Sequence, residues 1–242
     1  TIQNHQLTER AQKKLDELKY RNLSAEQVKR ECREVCPYQI LLHMTAEADL
    51  VIGDYFHIFH PAVRDIVLEK SETKLEDINI VVDEAHNMPS RTRSLFSATI
   101  STGLLERCKT ETEKFGYYQE NEYLDRFREE LFKMSRKELG QDTFEKEVRK
   151  KDLVTLVDSF HSFEELKVEM RDVAEEVEQE QEKSFCRQLE EAMDKWTGKD
   201  EGFVRCIKRE KEEVKIQYSC LNPQISTEKP LNSSHSSILM SG

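Results

Sequence analysis

The apolar positions fall into two regimes. In the first, short continuous runs stand out from a polar background: Leu50-Val51-Ile52, Ile78-Asn79-Ile80-Val81-Val82 and Ser237-Ile238-Leu239-Met240. Continuous rather than alternating hydrophobicity predicts strands buried on both faces, as in a parallel sheet covered by helices. Between them the spacing is helical. Leu7, Ala11, Leu15 and Leu18 predict a helix within residues 7–35, interrupted at Asn22-Leu23-Ser24, and Ser24 with Gln27 can cap a second helix running through Glu31. Further helices are expected from Ile40 to Ala48 and from Pro61 through Glu69, while Gly53 ends a strand over Asp49–Tyr55. Two strands separated by a helix within some thirty residues make a βαβ unit, hence an α/β domain.

The second regime begins after Pro89. Residues 91–200 show no convincing strand pattern, only amphipathic helices broken near Gly116, Gly140 and Gly198. Leu166, Met170, Val173 and Val177 form a thin apolar stripe that predicts one long helix over 164–194. Strand patterns return at Gly202–Arg209 and Glu213–Leu221 as a hairpin, and a polar loop after Asn222-Pro223 leads to the strand at 237–240. The expected organisation is one α/β domain over 37–90 and 202–242, interrupted by a helical insertion over 91–201 and preceded by a helical segment over 1–36.

Composition narrows the class. The 242 residues are 35% charged, with a mean hydropathy of −0.75, and no apolar run reaches bilayer length or forms a signal peptide. Thr1 in place of an initiator Met leads us to expect a piece of a longer chain. A net charge of −11 argues against a whole-surface nucleic-acid binder, but the charge is uneven. Residues 1–36 hold eight Lys/Arg against six Asp/Glu, whereas residues 169–194 hold ten acids against three bases. Six cysteines without secretory features imply a reducing compartment and an intracellular protein, cytoplasmic in a prokaryote or archaeon and nuclear in a eukaryote.

The strongest chemistry lies where the run 78–82 meets Asp83 and Glu84. Ligands collect at the carboxyl ends of strands in open α/β sheets. A hard cation such as Mg²⁺ takes oxygen ligands, and phosphoryl transfer to water needs a group to orient the nucleophile. One carboxylate can serve the metal and its neighbour the water. Asp83-Glu84-Ala85-His86 reads as the DEAH form of the Walker B motif of helicases, against the blander possibility of a solvated acidic turn. No Gly-x-x-x-x-Gly-Lys-Ser/Thr loop occurs to cradle phosphates, so this sequence alone is not expected to hydrolyse ATP.

Several landmarks together resemble the XPD family of iron–sulfur DNA helicases. They are Cys36-Pro37-Tyr38, Ala48-Asp49-Leu50-Val51-Ile52-Gly53-Asp54-Tyr55, Val81-Val82-Asp83-Glu84-Ala85-His86-Asn87, Cys220-Leu221-Asn222-Pro223 and Ser237-Ile238-Leu239-Met240-Ser241-Gly242. Their order and spacing over the full length are more specific than any one of them. The resemblance implies a RecA-like P-loop motor domain with a partial parallel sheet, interrupted by a helical arch over 91–201. Residues 1–36 would be the helical tail of an iron–sulfur domain. It also implies an ATP-dependent 5′-to-3′ helicase acting on single-stranded and forked DNA in repair, with ATP, Mg²⁺ and a 4Fe-4S cluster as cofactors. Repair or transcription-factor partners would bind through the arch. Carried over residue by residue, Asp83 would hold Mg²⁺ through water, Glu84 would position the attacking water, and His86 would couple nucleotide state to DNA-binding motifs.

Cys36 matches the last of four cluster cysteines, and Cys32 is the rival ligand, since i and i+4 share a helix face. Cys108, Cys186, Cys206 and Cys220 read as small core hydrophobes. Tyr38 matches an aromatic that contacts the DNA strand, with a ring propping the loop as the alternative. Some relatives carry an Arg shortly after this position, where the present sequence has Leu42 and His43, so the damage-sensing role of that Arg does not carry over. Arg149-Lys150-Lys151 is the best local basic patch for phosphates, or else a solvated helix face. The remaining alternatives are a DinG-like iron–sulfur helicase and a non-catalytic helical interaction module with a decayed ATP site.

Overall fold

The computed structural model describes residues 2–3, 6–140 and 143–242. In chain order the elements are β1 (Ile2–Gln3), β2 (Gln6–Leu7), α1 (Glu9–Leu18), α2 (Ala25–Glu31), α3 (Pro37–Met44), α4 (Tyr55–Phe59), α5 (Pro61–Lys70) and β3 (Asn79–Val82). They continue as α6 (Met88–Phe96), β4 (Ala98–Ser101), α7 (Thr102–Lys114), α8 (Tyr118–Glu138), β5 (Glu145–Glu147), α9 (Lys150–Asp158), α10 (Phe163–Glu180) and α11 (Phe185–Trp196). The chain closes with β6 (Phe203–Glu210), β7 (Glu213–Cys220), α12 (Gln224–Ser233) and β8 (Ser236–Leu239). It is a mixed α/β structure, mostly helical, with small parallel and antiparallel sheets. Two compact units emerge, Thr1–Leu95 with Pro223–Gly242, and Phe96–Asn222.

In the first unit, local capping sets the helical start. Thr8 caps α1, and the expected Ser24/Gln27 capping box is present, with Ser24 N–H donating to Gln27 Oε1 at 2.8 Å and Gln27 N–H to Ser24 Oγ at 3.3 Å. Ala11, Leu15, Leu18, Val28, Cys32, Val35 and Ile40 then bury one small core. A second core forms around Phe59, Leu75, Ile80, Val82 and Met88, with Leu231 of α12 packed against it.

β3 pairs with β8 in parallel, Asn79 opposite Ser236 and Val82 opposite Leu239. Burial on both faces, expected from the unbroken apolar run, does not occur. Phe59, Leu75 and Met88 pack with Ile80 and Val82 on one face, while Val81 and Ile238 remain 57% and 53% exposed. The strand expected over Asp49–Tyr55 is also absent: Leu50, Val51 and Ile52 pair with no strand and are 76%, 54% and 90% exposed. An extended segment gains its backbone bonds only from a neighbour in a ladder, and the two-stranded sheet here is completed by β8 instead. The polar loop expected after Asn222-Pro223 is helical, because Pro223 starts α12 and its carbonyl accepts from the N–H and hydroxyl of both Ser226 and Thr227.

The second unit runs to Asn222, past the boundary expected at residue 201. The hairpin β6–β7 does not return to the parallel sheet but sits inside an antiparallel sheet of order β4-β7-β6-β5. Ala98 pairs with Tyr218, and Glu145 with Lys208, so two short strands also lie within the stretch expected to be mainly helical. Alternating burial along β7 has a physical meaning that a parallel sheet would not give: one face packs on helices and the other meets water. Ile207, Val214 and Ile216 join Leu104, Phe127, Leu131, Leu166, Met170 and Trp196 in a single core.

The long helix expected over 164–194 is two helices, α10 and α11, and the apolar stripe ends at Val177, before the polar break. Ser184 caps α11, and the buried Glu111 carboxylate accepts from Cys186 N–H at 2.8 Å, Ser184 Oγ at 2.7 Å and Gln181 Nε2 at 3.0 Å. A negative charge at a helix N-terminus both satisfies its open N–H groups and complements its dipole. Gly198 follows α11 at a tight point, where a Cβ would lie 2.8 Å from Lys195 O and 2.9 Å from Tyr218 Oη. Gly198→Ala is expected to destabilise this unit by roughly 2 kcal/mol through overpacking against backbone. Thermal unfolding of the variant checks this, and an unchanged midpoint would show that the turn yields.

Candidate functional site

The apolar ladder of β3 and β8 ends at a turn that carries Asp83, Glu84 and His86. Met240 N–H donates to Val82 O at 2.9 Å, and Ala85 N–H donates to Met240 O at 2.8 Å, so β8 extends its pairing into the turn. Glu84 occupies the left-handed region, with φ 49° and ψ 43°. That conformation costs a non-glycine residue about 1 kcal/mol and persists where surrounding contacts over-determine it. Here the contacts are explicit. Asp83 Oδ1 accepts from Glu84 N–H at 2.9 Å, Glu84 O accepts from Asn87 N–H at 2.9 Å, and the Tyr55 hydroxyl lies 2.7 Å from Asp83 O and 3.0 Å from Glu84 O.

The side chains of the turn are solvent-facing. Asp83, Glu84 and His86 are all exposed. His86 Nδ1 lies 3.3 Å from Glu84 Oε2 and 2.9 Å from Ser241 Oγ, joining residues 155 positions apart. The structure thus brings Asp83, Glu84 and His86 onto one turn at the carboxyl end of a parallel strand, with accessible oxygens of the kind a hydrated hard cation takes. Tyr55 and Ser241 belong to the same constellation. Tyr55 lay in the apolar segment read as a strand end, and nothing local in its sequence signals a contact 28 residues away.

Cys36 and Tyr38 sit apart from that turn, at the start of α3. Cys36 is its N-cap residue, followed by Pro37 in the first turn, and its side chain is exposed, as is that of Tyr38. Pro is favoured there because its missing N–H would have had no helical partner. Cys32 differs: it is buried in the apolar cluster of α1–α3, and burial pushes its thiol pKa up, with Lys14 opposing. Among the described residues no group of three or more His, Cys, Asp or Glu side chains could hold a metal. His43, two turns further on, has its pKa lowered first by burial and then by Lys70.

The other cysteines divide. Cys108, Cys186 and Cys220 are buried, whereas Cys206 on β6 is only partly so, which corrects its reading as core. A hydrogen bond with Cys108 and burial raise the Cys186 thiol, and burial raises that of Cys206. The basic run at the start of α9 is partly neutralised: Arg149 pairs with Asp152 at 2.9 Å and Lys150 lies 3.9 Å from Asp200. Arg205, which no motif singled out, is 5% exposed and organises the end of the second unit. It donates to Trp196 O at 2.9 Å, Gly198 O at 2.8 Å and Asp200 Oδ1 at 2.5 Å, with its guanidinium 4.5 Å from the Tyr218 ring centroid.

Residues 2–105 match the DEAD_2 family model, a helicase-family domain characteristic of XPD-like proteins. The matched region contains Cys36, Tyr38, Tyr55 and the turn with Asp83, Glu84 and His86. Among the described residues no helix is long and apolar enough to cross a membrane.

Proposed function

We propose that this chain is part of an ATP-dependent, 5′-to-3′ DNA helicase of the XPD-like iron–sulfur type. The observation that carries it is the Asp83–His86 turn, pinned at the carboxyl end of β3 within a helicase-family domain. In this reading β3 and β8 belong to a RecA-like motor sheet and 96–222 is the arch. Mg·ATP bound there would supply the γ-phosphoryl group to water, with ADP as the leaving group. Asp83 would hold the hydrated cation, Glu84 would orient the water and accept its proton, and His86 links that carboxylate to Ser241. Tyr38 offers an exposed ring to a base of single-stranded DNA, a contact tolerant of any sequence.

The residues present do not form an iron–sulfur site by themselves, so no step of the proposal runs through the cluster. Cys36, exposed at a helix start, suits a thiolate ligand; Cys32, buried among aliphatic side chains, suits core. In the complete protein, Cys36→Ser is therefore expected to lower iron and sulfide content and strand separation while sparing much of the ATPase, and Cys32→Ser to leave iron in place. Metal analysis beside forked-duplex unwinding assays tests both points. Loss of iron from Cys32→Ser alone would reverse the ligand assignment. Failure of the unmodified complete protein to unwind any duplex with ATP would overturn the helicase reading in favour of an interaction module.

A further inference from the structure

Glu84 is the one residue of the turn whose backbone is strained, and one side chain from outside the turn reaches both carbonyls that flank its torsions. Tyr55 opens α4, which is started by Asp54, whose carboxylate accepts from Phe56 N–H at 3.0 Å. Its ring lies 6.2 Å from that of the fully buried Phe59 and packs against the same core as Ile80 and Val82. That anchorage fixes the ring on the core beneath β3, and the hydroxyl emerges at the carbonyls of Asp83 and Glu84, 2.7 and 3.0 Å away. One hydroxyl hydrogen shared between two successive carbonyls requires both to point the same way. Successive carbonyls of an extended strand point oppositely, so this arrangement requires the chain to turn at Glu84, as its left-handed conformation does.

We infer that Tyr55 is a positioning residue for ATP hydrolysis: its hydroxyl clamps the carbonyls of Asp83 and Glu84 and holds the Glu84 carboxylate where it can orient water. The inference rests on the reading of Glu84 given above. In this role Tyr55 acts only through the turn. Without the hydroxyl, Glu84 is released to relax towards negative φ, which swings its carboxylate away from the direction set by the turn. The remaining bonds, from Glu84 N–H to Asp83 Oδ1, from Asn87 N–H to Glu84 O and from Ala85 N–H to Met240 O, keep the chain in place but leave this torsion freer.

The test uses Tyr55→Phe in the complete protein, since Phe keeps the ring packed on Phe59 and removes only the hydroxyl. DNA-stimulated ATPase kcat is expected to fall about tenfold, the size of effect that loss of one positioning hydrogen bond gives, with KM for ATP and the unfolding midpoint essentially unchanged. Glu84→Gln and the double variant complete the cycle. If Tyr55 works through Glu84, Tyr55→Phe adds no further loss in the Glu84→Gln background. A kcat unaffected by Tyr55→Phe, or a tenfold loss that persists unchanged on top of Glu84→Gln, overturns the positioning role. A fall in thermal stability matching the loss of activity does so as well, by making the residue merely structural. Full turnover by Glu84→Gln alone overturns the reading of Glu84, a result distinct from either.

Discussion

Glu84→Gln, in the complete protein, is expected to bind nucleotide within about twofold of the unmodified protein and to turn it over at least a hundredfold more slowly. The substitution preserves size and the capacity to hydrogen-bond, so the left-handed turn, the Tyr55 contacts and the bond from Asn87 N–H to Glu84 O remain available. What it removes is the negative charge that accepts a proton and aligns water. On the proposed reading, binding energy for the nucleotide would come from phosphate and base contacts other than Glu84, so affinity and turnover should separate. Nucleotide binding by fluorescence titration, beside steady-state phosphate release, measures the two quantities. Turnover within threefold of normal would remove Glu84 from the hydrolytic role and leave the turn as a structural feature.

The second large effect is on stability rather than chemistry. Arg205→Met should destabilise the unit 96–222 by roughly 3 kcal/mol, since charged hydrogen bonds contribute about 1.5–3 kcal/mol each and buried acceptors are left open. The guanidinium is 5% exposed and serves the carbonyls of Trp196 and Gly198, the last residues of α11 and its exit. It also lies 4.5 Å from the Tyr218 ring and 5.5 Å from that of Trp196, a cation–π arrangement that Met cannot replace. Asp200, its ion-pair partner, is 77% exposed, so Asp200→Asn should cost well under 1 kcal/mol. Denaturant melts of both variants discriminate: equal, small effects would mean that the surface pair, rather than the buried carbonyls, is what Arg205 serves.

The Asp83–His86 turn was legible in the sequence because its signal is local. A β-branched run meeting Asp83-Glu84-Ala85-His86 specifies a strand end within eight residues, and the Ser24/Gln27 cap is equally local. What escaped depends on partners distant in sequence. Leu50-Val51-Ile52 has the composition of a strand, yet composition cannot say whether a neighbour exists to complete a ladder. The break within 164–194 carries no Gly or Pro to announce it, because it is stabilised from α7 by Glu111. The hairpin was seen but misplaced, since hairpin signals fix register within a pair and leave its sheet open. Alternation along Val214, Ile216, Tyr218 and Cys220 already carried the one-sided burial of an antiparallel sheet.

The register of β4 with β7 bears on how this chain folds. Asn79 and Ser236 must meet across 157 positions, a separation that makes β3–β8 pairing a slow, high-contact-order event if the intervening chain is unstructured. But Ala98 pairs with Tyr218, so the segment between β3 and β8 has its own first and last strands side by side. Once that segment has folded, the chain left to be closed is about 37 residues, which lowers the entropic cost of closure by about 1.3 kcal/mol. Assembly from the inside outward is thereby favoured, with 96–222 forming first and bringing α12 and β8 back to β3. The same adjacency makes the segment modular: it can be lengthened, shortened or exchanged during evolution while the parallel pair that carries the Asp83–His86 turn keeps its register.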